Sequence, residues 1–483
     1  VYSEKVTLKH LTTASRSLGR QLKRSSSKEI AIYCAHLNSL LNEDKQLKRP
    51  LTKDETEWIQ NEQIVCTIDF PYWAANYARI KGKDGQVIPF IPNLAQRIML
   101  AIWGEAEELE HAIMVQVLKA RQLGISTLSE MAIAHRTMFH SNVDAVVASS
   151  DPDKSRRMSN MMLFCWDRQP WWLMPARTKY KAGELVEFGG LNSAVSIQWG
   201  NQTTGIARGS TPTIAHLSEL ADFENPKELV DASLLRAMHE NPFTLLVLES
   251  TANGRDNWWH DKWNFAKNYW SKGVSRLRPV FLPWYVGTDL YPNENWLKMH
   301  PAPEKYDPPE DIKDHAIRAE AYVRANPLLS RYLGEQWTMP AEQKWFYEAN
   351  RLEYKSNNDL NKWYQEMPAD DLEAFQHKTS SIFDAEFQYE LRNACKPPLV
   401  VLGLQGPEEE IPLRLQPSAR EIDHNSPFKP MVISPSAVAE KATSSYRLVP
   451  LKWTGHDMSP LGKIFLYELP EKFNDYGVGV DTA

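Results

Sequence analysis

The chain has 483 residues, of which 42% are hydrophobic and 24% charged, with a net charge of −6. Length divided by about 150 suggests roughly three domains, and the composition is that of a globular protein able to bury a core. The acidic balance excludes a uniformly basic nucleic-acid coat but leaves room for a local basic groove.

Residues 1–28 carry seven Lys or Arg against one acid, Glu4. The stretch has few breakers and predicts a helical arm, taken as residues 1–60. Its basic face is either solvated or set against DNA phosphates or a partner protein. From about residue 112, short apolar runs alternate with helical stretches. Ile113–Leu118, Val143–Ser149, Thr213–Leu217, Thr244–Glu249 and Leu277–Leu282 read as buried strands, with a helix over Ser126–His140. That alternation predicts a parallel sheet covered on both faces. Lys181–Gln198 alternates more loosely around a Gly-Gly pair and predicts a hairpin beside the sheet. Residues 311–377 read as amphipathic helices. Residues 397–470 hold eleven of the 31 prolines, which predicts a linker or irregular insertion, since proline lacks an amide donor.

The four cysteines (Cys34, Cys66, Cys165, Cys395) are far apart. They support neither a disulfide framework nor a CxxC zinc site, and a reducing compartment is the simplest expectation. No apolar run approaches the ~18 residues of a membrane span, and no membrane partner is expected. There is no secretory signal peptide. The chain opens on Val1, so a natural start upstream is expected. No spacing among His135, His140, His216 and His260 resembles a metal site, which leaves structural or surface roles for them.

The strongest local signal is Lys119-Ala120-Arg121-Gln122-Leu123-Gly124-Ile125-Ser126-Thr127, between a strand and a helix. A phosphate cradle needs that context, because free amides at a helix N-terminus point at the anion. Against the pattern GxxxxGK[ST], Gly124 and Ser126 fall in place, but Ile125 stands at the lysine and Lys119 at the first glycine. Lys119 or Arg121 can bring the missing cation, Arg with a bidentate fork. Ser126 offers an oxygen to Mg²⁺. A basic turn before an ordinary helix is the competing reading.

Downstream, the strand Thr213–Leu217 ends in Ser218-Glu219. An acidic pair in that place holds the Mg²⁺ shell and polarises the attacking water. Here Ser218 can hold a metal-bound water but brings no charge, and Glu219 remains as the base. Thr244–Leu248 runs into Glu249-Ser250-Thr251-Ala252-Asn253-Gly254, polar residues at a strand's carboxyl end, where open α/β sheets bind ligands. Gln96, before the first strand, offers an amide to both edges of an adenine. Arg208-Gly209 places an arginine on a turn able to reach a neighbouring subunit's nucleotide. Each of these, taken alone, also reads as an ordinary surface or loop residue.

Their order is more specific. Gln96, KARQLGIST, Arg208-Gly209, HLSE and ESTANG together resemble the large terminase subunit of tailed double-stranded DNA bacteriophages, over nearly the whole chain. Tyr364-Gln365-Glu366-Met367-Pro368 and Glu373-Ala374-Phe375 resemble the family's EYP…EAF segment, with Met367 for the usual aromatic. Tyr476–Ala483 resembles the first strand of its RNase H-like nuclease.

The resemblance implies an α/β P-loop NTPase of the additional-strand catalytic-Glu type, with a central, mostly parallel sheet flanked by helices and with helical N-terminal and lid segments. It implies an ATPase core over 61–285, a helical lid and linker over 286–396, and the start of the nuclease over 471–483. Glu219 would be the catalytic base, Arg121 a phosphate-contacting arginine in cis and Arg208 a finger in trans. Gln96, Lys119, Arg121, Gln122, Gly124, Ile125, Ser126, Thr127 and Asn253 would bind ATP. Ser126 and Ser218 would serve Mg²⁺, and Asp481 would bind Mg²⁺ or Mn²⁺ in the nuclease. The implied activity is ATP-driven packaging of double-stranded DNA by a homo-oligomeric ring on the portal protein, with the small terminase subunit, in the host cytoplasm and transiently on the procapsid. The full-length protein would also cut the genome. Because a two-metal nuclease needs several carboxylates and this chain ends two residues after Asp481, the chain alone is expected not to cleave DNA. The open alternatives are a helicase-like translocase and an assembly scaffold with an inactive site, the latter suggested by Ile125 and Ser218.

Overall fold

The computed structural model describes residues 23–200, 206, 210–255, 257–375, 400–405, 421–433, 446–452 and 463–466. The basic arm up to residue 22, Arg208 and the expected nuclease strand with Asp481 lie outside the described residues. The chain divides into two compact units, Val1–Ala385 and Glu386–Ala483, so the boundary falls inside the segment expected as lid and linker.

The first unit opens with α1 (Ser27–Ser39), α2 (Lys53–Ile68) and α3 (Phe70–Asn76). Ser26 with Glu29 and Thr52 with Glu55 form capping boxes, which satisfy amides that have no intrahelical partner. Ile30, Leu37, Ile59 and Cys66 share one buried cluster with residues of the central sheet. From residue 27 onward the expected arm is therefore docked on the core. Glu62 is fully buried there and accepts hydrogen bonds from Ser25, Tyr72 and Tyr77, partners that a buried carboxylate requires.

A short antiparallel ribbon, β1 (Arg79–Lys81) and β2 (Val87–Pro89), precedes α4 (Leu94–Glu108). The chain then alternates through β3 (Ile113–Lys119), α5 (Ile125–Phe139), β4 (Asp144–Ser149), α6 (Pro152–Trp166), β5 (Lys179–Lys181), β6 (Leu185–Phe188), β7 (Ser193–Trp199), β8 (Ile214–Ser218), β9 (Leu245–Ser250), α7 (Trp258–Tyr269) and β10 (Arg278–Leu282). The five apolar runs expected as buried strands are β3, β4, β8, β9 and β10. The described strands of the sheet run β10-β3-β9-β8-β4-β7-β6-β5. Pairing is parallel from β10 through β7 and antiparallel at β6 and β5. The expected hairpin is the β6–β7 pair, joined to the sheet by the parallel β7–β4 ladder. β9 separates β3 from β8, the strand order that the resemblance implies for an additional-strand sheet.

Both faces of the sheet are covered. Along β3, Ile113, Val115 and Val117 belong to one core, while Met114 and Leu118 belong to the other, as the two-residue period of a strand dictates. Among the tryptophans, Trp73, Trp166, Trp259 and Trp284 are fully buried, which is core packing.

The segment expected to be helical forms α8 (Glu294–Met299), α9 (Glu310–Ala325), α10 (Pro327–Leu333), α11 (Ala341–Ser356), α12 (Leu360–Glu366) and α13 (Asp371–Ala374). Trp284, just past β10, stacks on His315 of α9 and Tyr347 of α11, so these helices are packed on the sheet's own core. Among the described residues, no helix is long and apolar enough to cross a membrane.

Asp370 caps α13 by accepting the Glu373 amide at 2.8 Å. Burial, with Glu373 nearby, raises its carboxyl to about 6. A raised acid contributes stability that is complete below its unfolded value and is lost as pH rises through about 6. Asp370→Asn keeps a good cap and is expected to raise the thermal midpoint at pH 8 but hardly at pH 3.5. One pKa unit corresponds to about 1.4 kcal/mol, and residual solvent contact reduces the expected gain to about 1–2 kcal/mol. Thermal melts at the two pH values check it.

In the second unit the Pro-rich stretch is not irregular throughout. Its described residues form an antiparallel sheet, β12-β13-β11-β14, from β11 (Val400–Gln405), β12 (Met431–Ile433), β13 (Tyr446–Leu451) and β14 (Lys463–Leu466). Pro450 sits inside β13, and its carbonyl accepts the Asp423 amide on the side away from β11. The missing N–H falls on that same side, so the β11–β13 ladder loses nothing.

Candidate active site

The site lies at the carboxyl ends of β3, β9 and β8. β3 is buried along its whole length, and the loop that follows is held from several directions. The Ala120 amide donates to Leu282 of β10 (2.8 Å) and the Arg121 amide to the Glu366 carbonyl (3.0 Å). The Tyr291 hydroxyl donates to the Arg121 carbonyl (2.7 Å). Gln122 (φ 58°) and Gly124 (φ 78°) take the left-handed conformation, which turns the chain sharply into α5. Among the described residues, no side chain caps α5. Its first-turn amides at Ile125, Ser126 and Thr127 therefore form the open, positive end of a 15-residue helix, a ready anion site.

Gln96 of α4 is tied to this loop. Its Oε1 accepts the Asn93 amide (2.9 Å) and its Nε2 donates to the Gly124 carbonyl (2.7 Å), while Asn93 Nδ2 donates to the Leu123 carbonyl (3.1 Å). Gln96 is only 4% exposed. Each end of its amide makes a bond, and through Nε2 it braces the loop after β3. A Cβ on Gly124 would lie 2.8 Å from Gln96 Nε2 at a φ that side chains rarely adopt. Gly124→Ala is expected to lower stability by about 1–3 kcal/mol. A thermal melt measures it.

The two loop cations separate. Lys119 ends the buried strand β3 and is itself buried, its Nζ 3.8 Å from Glu249 Oε2. In this structure it is the counter-ion of a buried carboxylate. Arg121 is half-exposed and bonds Glu366 Oε1 at 2.6 Å. Ile125, at the usual lysine position, is a core side chain, so only its backbone can meet a ligand.

Ser218 ends β8 and is paired in register with Glu249 of β9. Glu249 is fully buried. Its Oε1 accepts from Ser126, from Ser218 (2.9 Å) and from His216 Nε2 (3.1 Å). His216 Nδ1 faces Glu130 Oε1 of α5 at 2.7 Å. The result is a buried polar column on the α5 face of the sheet. Burial opposes charge on each member, but Lys119, His216 and Ser126 hold the Glu249 carboxyl down at about 2. Burial would likewise lower His216, yet the two flanking carboxylates lift it to about 9, while burial raises Glu130. The sequence offers Glu249 only as one of several polar residues after a strand, and the His216–Glu130 pair is not evident from it. The only available signal is a carboxylate at the carboxyl end of an apolar strand, and its neighbours depend on strand register.

Glu219 directly follows β8, partly exposed, with a left-handed backbone (φ 59°). Such a conformation is rare for a long side chain and costs about 1–3 kcal/mol. The turn after it is tied to the ESTANG loop. The Ala221 amide donates to Ser250 Oγ (3.1 Å), and Asn253 Nδ2 donates to the Ala221 carbonyl (3.3 Å) and Asp222 (3.2 Å). The structure thus brings Lys119, Arg121, Gln122, Gly124, Ile125, Ser126, Thr127, Ser218, Glu219 and Asn253 to one edge of the sheet.

Among the described residues, no group of three or more His, Cys, Asp or Glu forms a metal cage. The local donors are oxygens, the hydroxyls of Ser126 and Ser218 backed by the Glu249 carboxylate. That set suits Mg²⁺, which keeps most of its waters and takes one or two protein oxygens beside substrate phosphates.

No protein-family model matches the sequence, and no curated protein matches it. Among solved structures, the chain is similar to the large terminase of bacteriophage HK97, at 13% identity over 71% of this chain and 56% of that one, with a TM-score of 0.34. It is also similar to the large terminase ATPase domain of Thermus phage P74-26, at 14% identity over 41% of this chain and 94% of that one, TM-score 0.27. A point mutant of that domain gives 12% identity, 38% and 86% coverage, and a TM-score of 0.27. The match spans 56% of the HK97 protein's length.

Proposed function

We propose that this chain is an ATP-hydrolysing motor of the large terminase kind that drives double-stranded DNA into a viral procapsid. The observation that carries the reading is the placement of Glu219. It follows β8, separated by the inserted strand β9 from the uncapped, anion-ready loop that follows β3.

In this reading the amides from Gln122 to Thr127 cradle the β- and γ-phosphates of ATP. Arg121 leaves Glu366 and reaches the transferring phosphoryl group, where a cation stabilises the charge of the transition state. Glu219 accepts the proton of the attacking water. Ser126, with Ser218 beside it, would hold Mg²⁺, whose charge polarises the phosphate oxygens when it is bound. Asn253 carries the state of the ESTANG loop to the turn after Glu219 through its two hydrogen bonds.

Arg208 acts in trans as the finger of a neighbouring subunit, in a homo-oligomeric ring on the portal protein in the host cytoplasm. The small terminase subunit presents the DNA. Genome cutting by an RNase H-like nuclease, with Asp481 as its first ligand for Mg²⁺ or Mn²⁺, belongs to the same proposal.

Displacement of a triplex-forming strand from linear duplex DNA tests it. With portal, small subunit and ATP, displacement is expected to require hydrolysis and to fade as salt weakens the phosphate contacts. Displacement that proceeds equally with a non-hydrolysable analogue would contradict the motor.

A further inference from the structure

The position that holds an acid in this class of site is Ser218, a neutral residue. Its register partner one strand over is Glu249. Both Ser126 Oγ and Ser218 Oγ bond the same oxygen, Glu249 Oε1. An ionised carboxylate can only accept, so each serine must give its single proton to Glu249. Each hydroxyl is left with lone pairs alone for any further partner. A hydroxyl fixed in that way favours a cation over an anion or a hydrogen-bond acceptor.

The second oxygen, Glu249 Oε2, is buried and, among the described residues, accepts no hydrogen bond; the Lys119 ammonium lies 3.8 Å away. Behind the carboxylate, His216 fixes its orientation, and Glu130 fixes His216 in turn.

We propose that Glu249 of β9 supplies the fixed negative charge of the Mg²⁺ site that Ser218 of β8 lacks, acting through the hydroxyls of Ser126 and Ser218. The acid has moved one strand sideways in register, and the site keeps its charge. This rests on the nucleotide-site reading above. Glu249 is a positioning residue: it orients two oxygen ligands and strengthens them with its charge.

The experiment titrates Mn²⁺, as the probe, into the protein saturated with ADP and reads free Mn²⁺ by electron paramagnetic resonance. ADP affinity in EDTA is measured alongside, with near-ultraviolet circular dichroism as the check on folding. Glu249→Gln is expected to weaken Mn²⁺ binding about 10- to 100-fold, with the EDTA affinity for ADP changed less than about threefold. The double variant Ser218→Asp/Glu249→Gln returns a carboxylate to β8 and is expected to recover most of the Mn²⁺ affinity. Wild-type Mn²⁺ affinity in folded Glu249→Gln overturns the proposal. So does a double variant that recovers nothing, because a merely structural role would not be rescued by moving the charge. If Glu249→Gln does not fold, the double variant decides alone. A wild type that binds no ADP in EDTA overturns the nucleotide site itself, a result distinct from the loss of the metal effect.

Discussion

Glu219→Gln is expected to bind ATP as tightly as wild type and to lose about 10²–10⁴-fold in turnover, the contribution of a positioned general base. Gln keeps the length and shape of the side chain, and the left-handed backbone at this residue is set by the turn from β8 into Leu220–Asp222. The substitution therefore removes a proton acceptor and little else. Hydrolysis under single-turnover conditions, beside nucleotide binding in the same preparation, separates chemistry from affinity. Turnover within a few-fold of wild type would remove Glu219 from the mechanism.

Arg121→Ala is expected to lose about 10²–10³-fold in turnover, as removal of a transition-state charge partner does. The opposite result is expected when its present partner is changed. Arg121 is bound to Glu366 of α12, and Glu366 is further held by the Tyr354 hydroxyl at 3.0 Å. In the proposed mechanism the ion pair opens before the guanidinium meets a phosphate. A half-exposed pair is worth up to about 1 kcal/mol, so Glu366→Gln is expected to tighten ATP binding by no more than about fivefold. Loss of affinity in Glu366→Gln would mean that Glu366 supports the loop and does not compete for its arginine. The contact also gives the 364–368 segment a physical role, since it joins α12 to the loop after β3 through both a side chain and the Arg121 amide.

The parallel strands were legible because strands buried on both faces read as continuous apolar runs, and β3, β4, β8, β9 and β10 fall on those runs. The loop after β3 was legible because Gly124 and Ser126 keep their places at the start of a helix. What stayed hidden depends on register between distant segments. Gln96 meets Gly124 because α4 packs beside the loop, and Lys119 meets Glu249 because β9 lies next to β3. His216, from sequence a structural or surface residue, joins two carboxylates that lie 119 positions apart in the chain, Glu130 and Glu249. Proline density misled for a related reason. Whether a missing amide matters depends on which side of the strand it faces, and at Pro450 it faces away from the β11 ladder.

Ile125 and Ser218, the two residues that suggested an inactive scaffold, have specific places in the fold. Ile125 fills the core under the loop. Ser218 is hydrogen-bonded to a buried carboxylate that also holds Ser126.

The most direct test of the central claim is steady-state ATP hydrolysis by the purified chain with Mg²⁺, with and without linear duplex DNA, at concentrations that permit a ring to assemble. The account predicts Glu219-dependent turnover that duplex DNA stimulates at low salt, with the stimulation fading as salt rises. Background-level turnover with DNA, portal and small subunit all present, in a protein that still binds ADP, would contradict the motor and favour a nucleotide-binding scaffold.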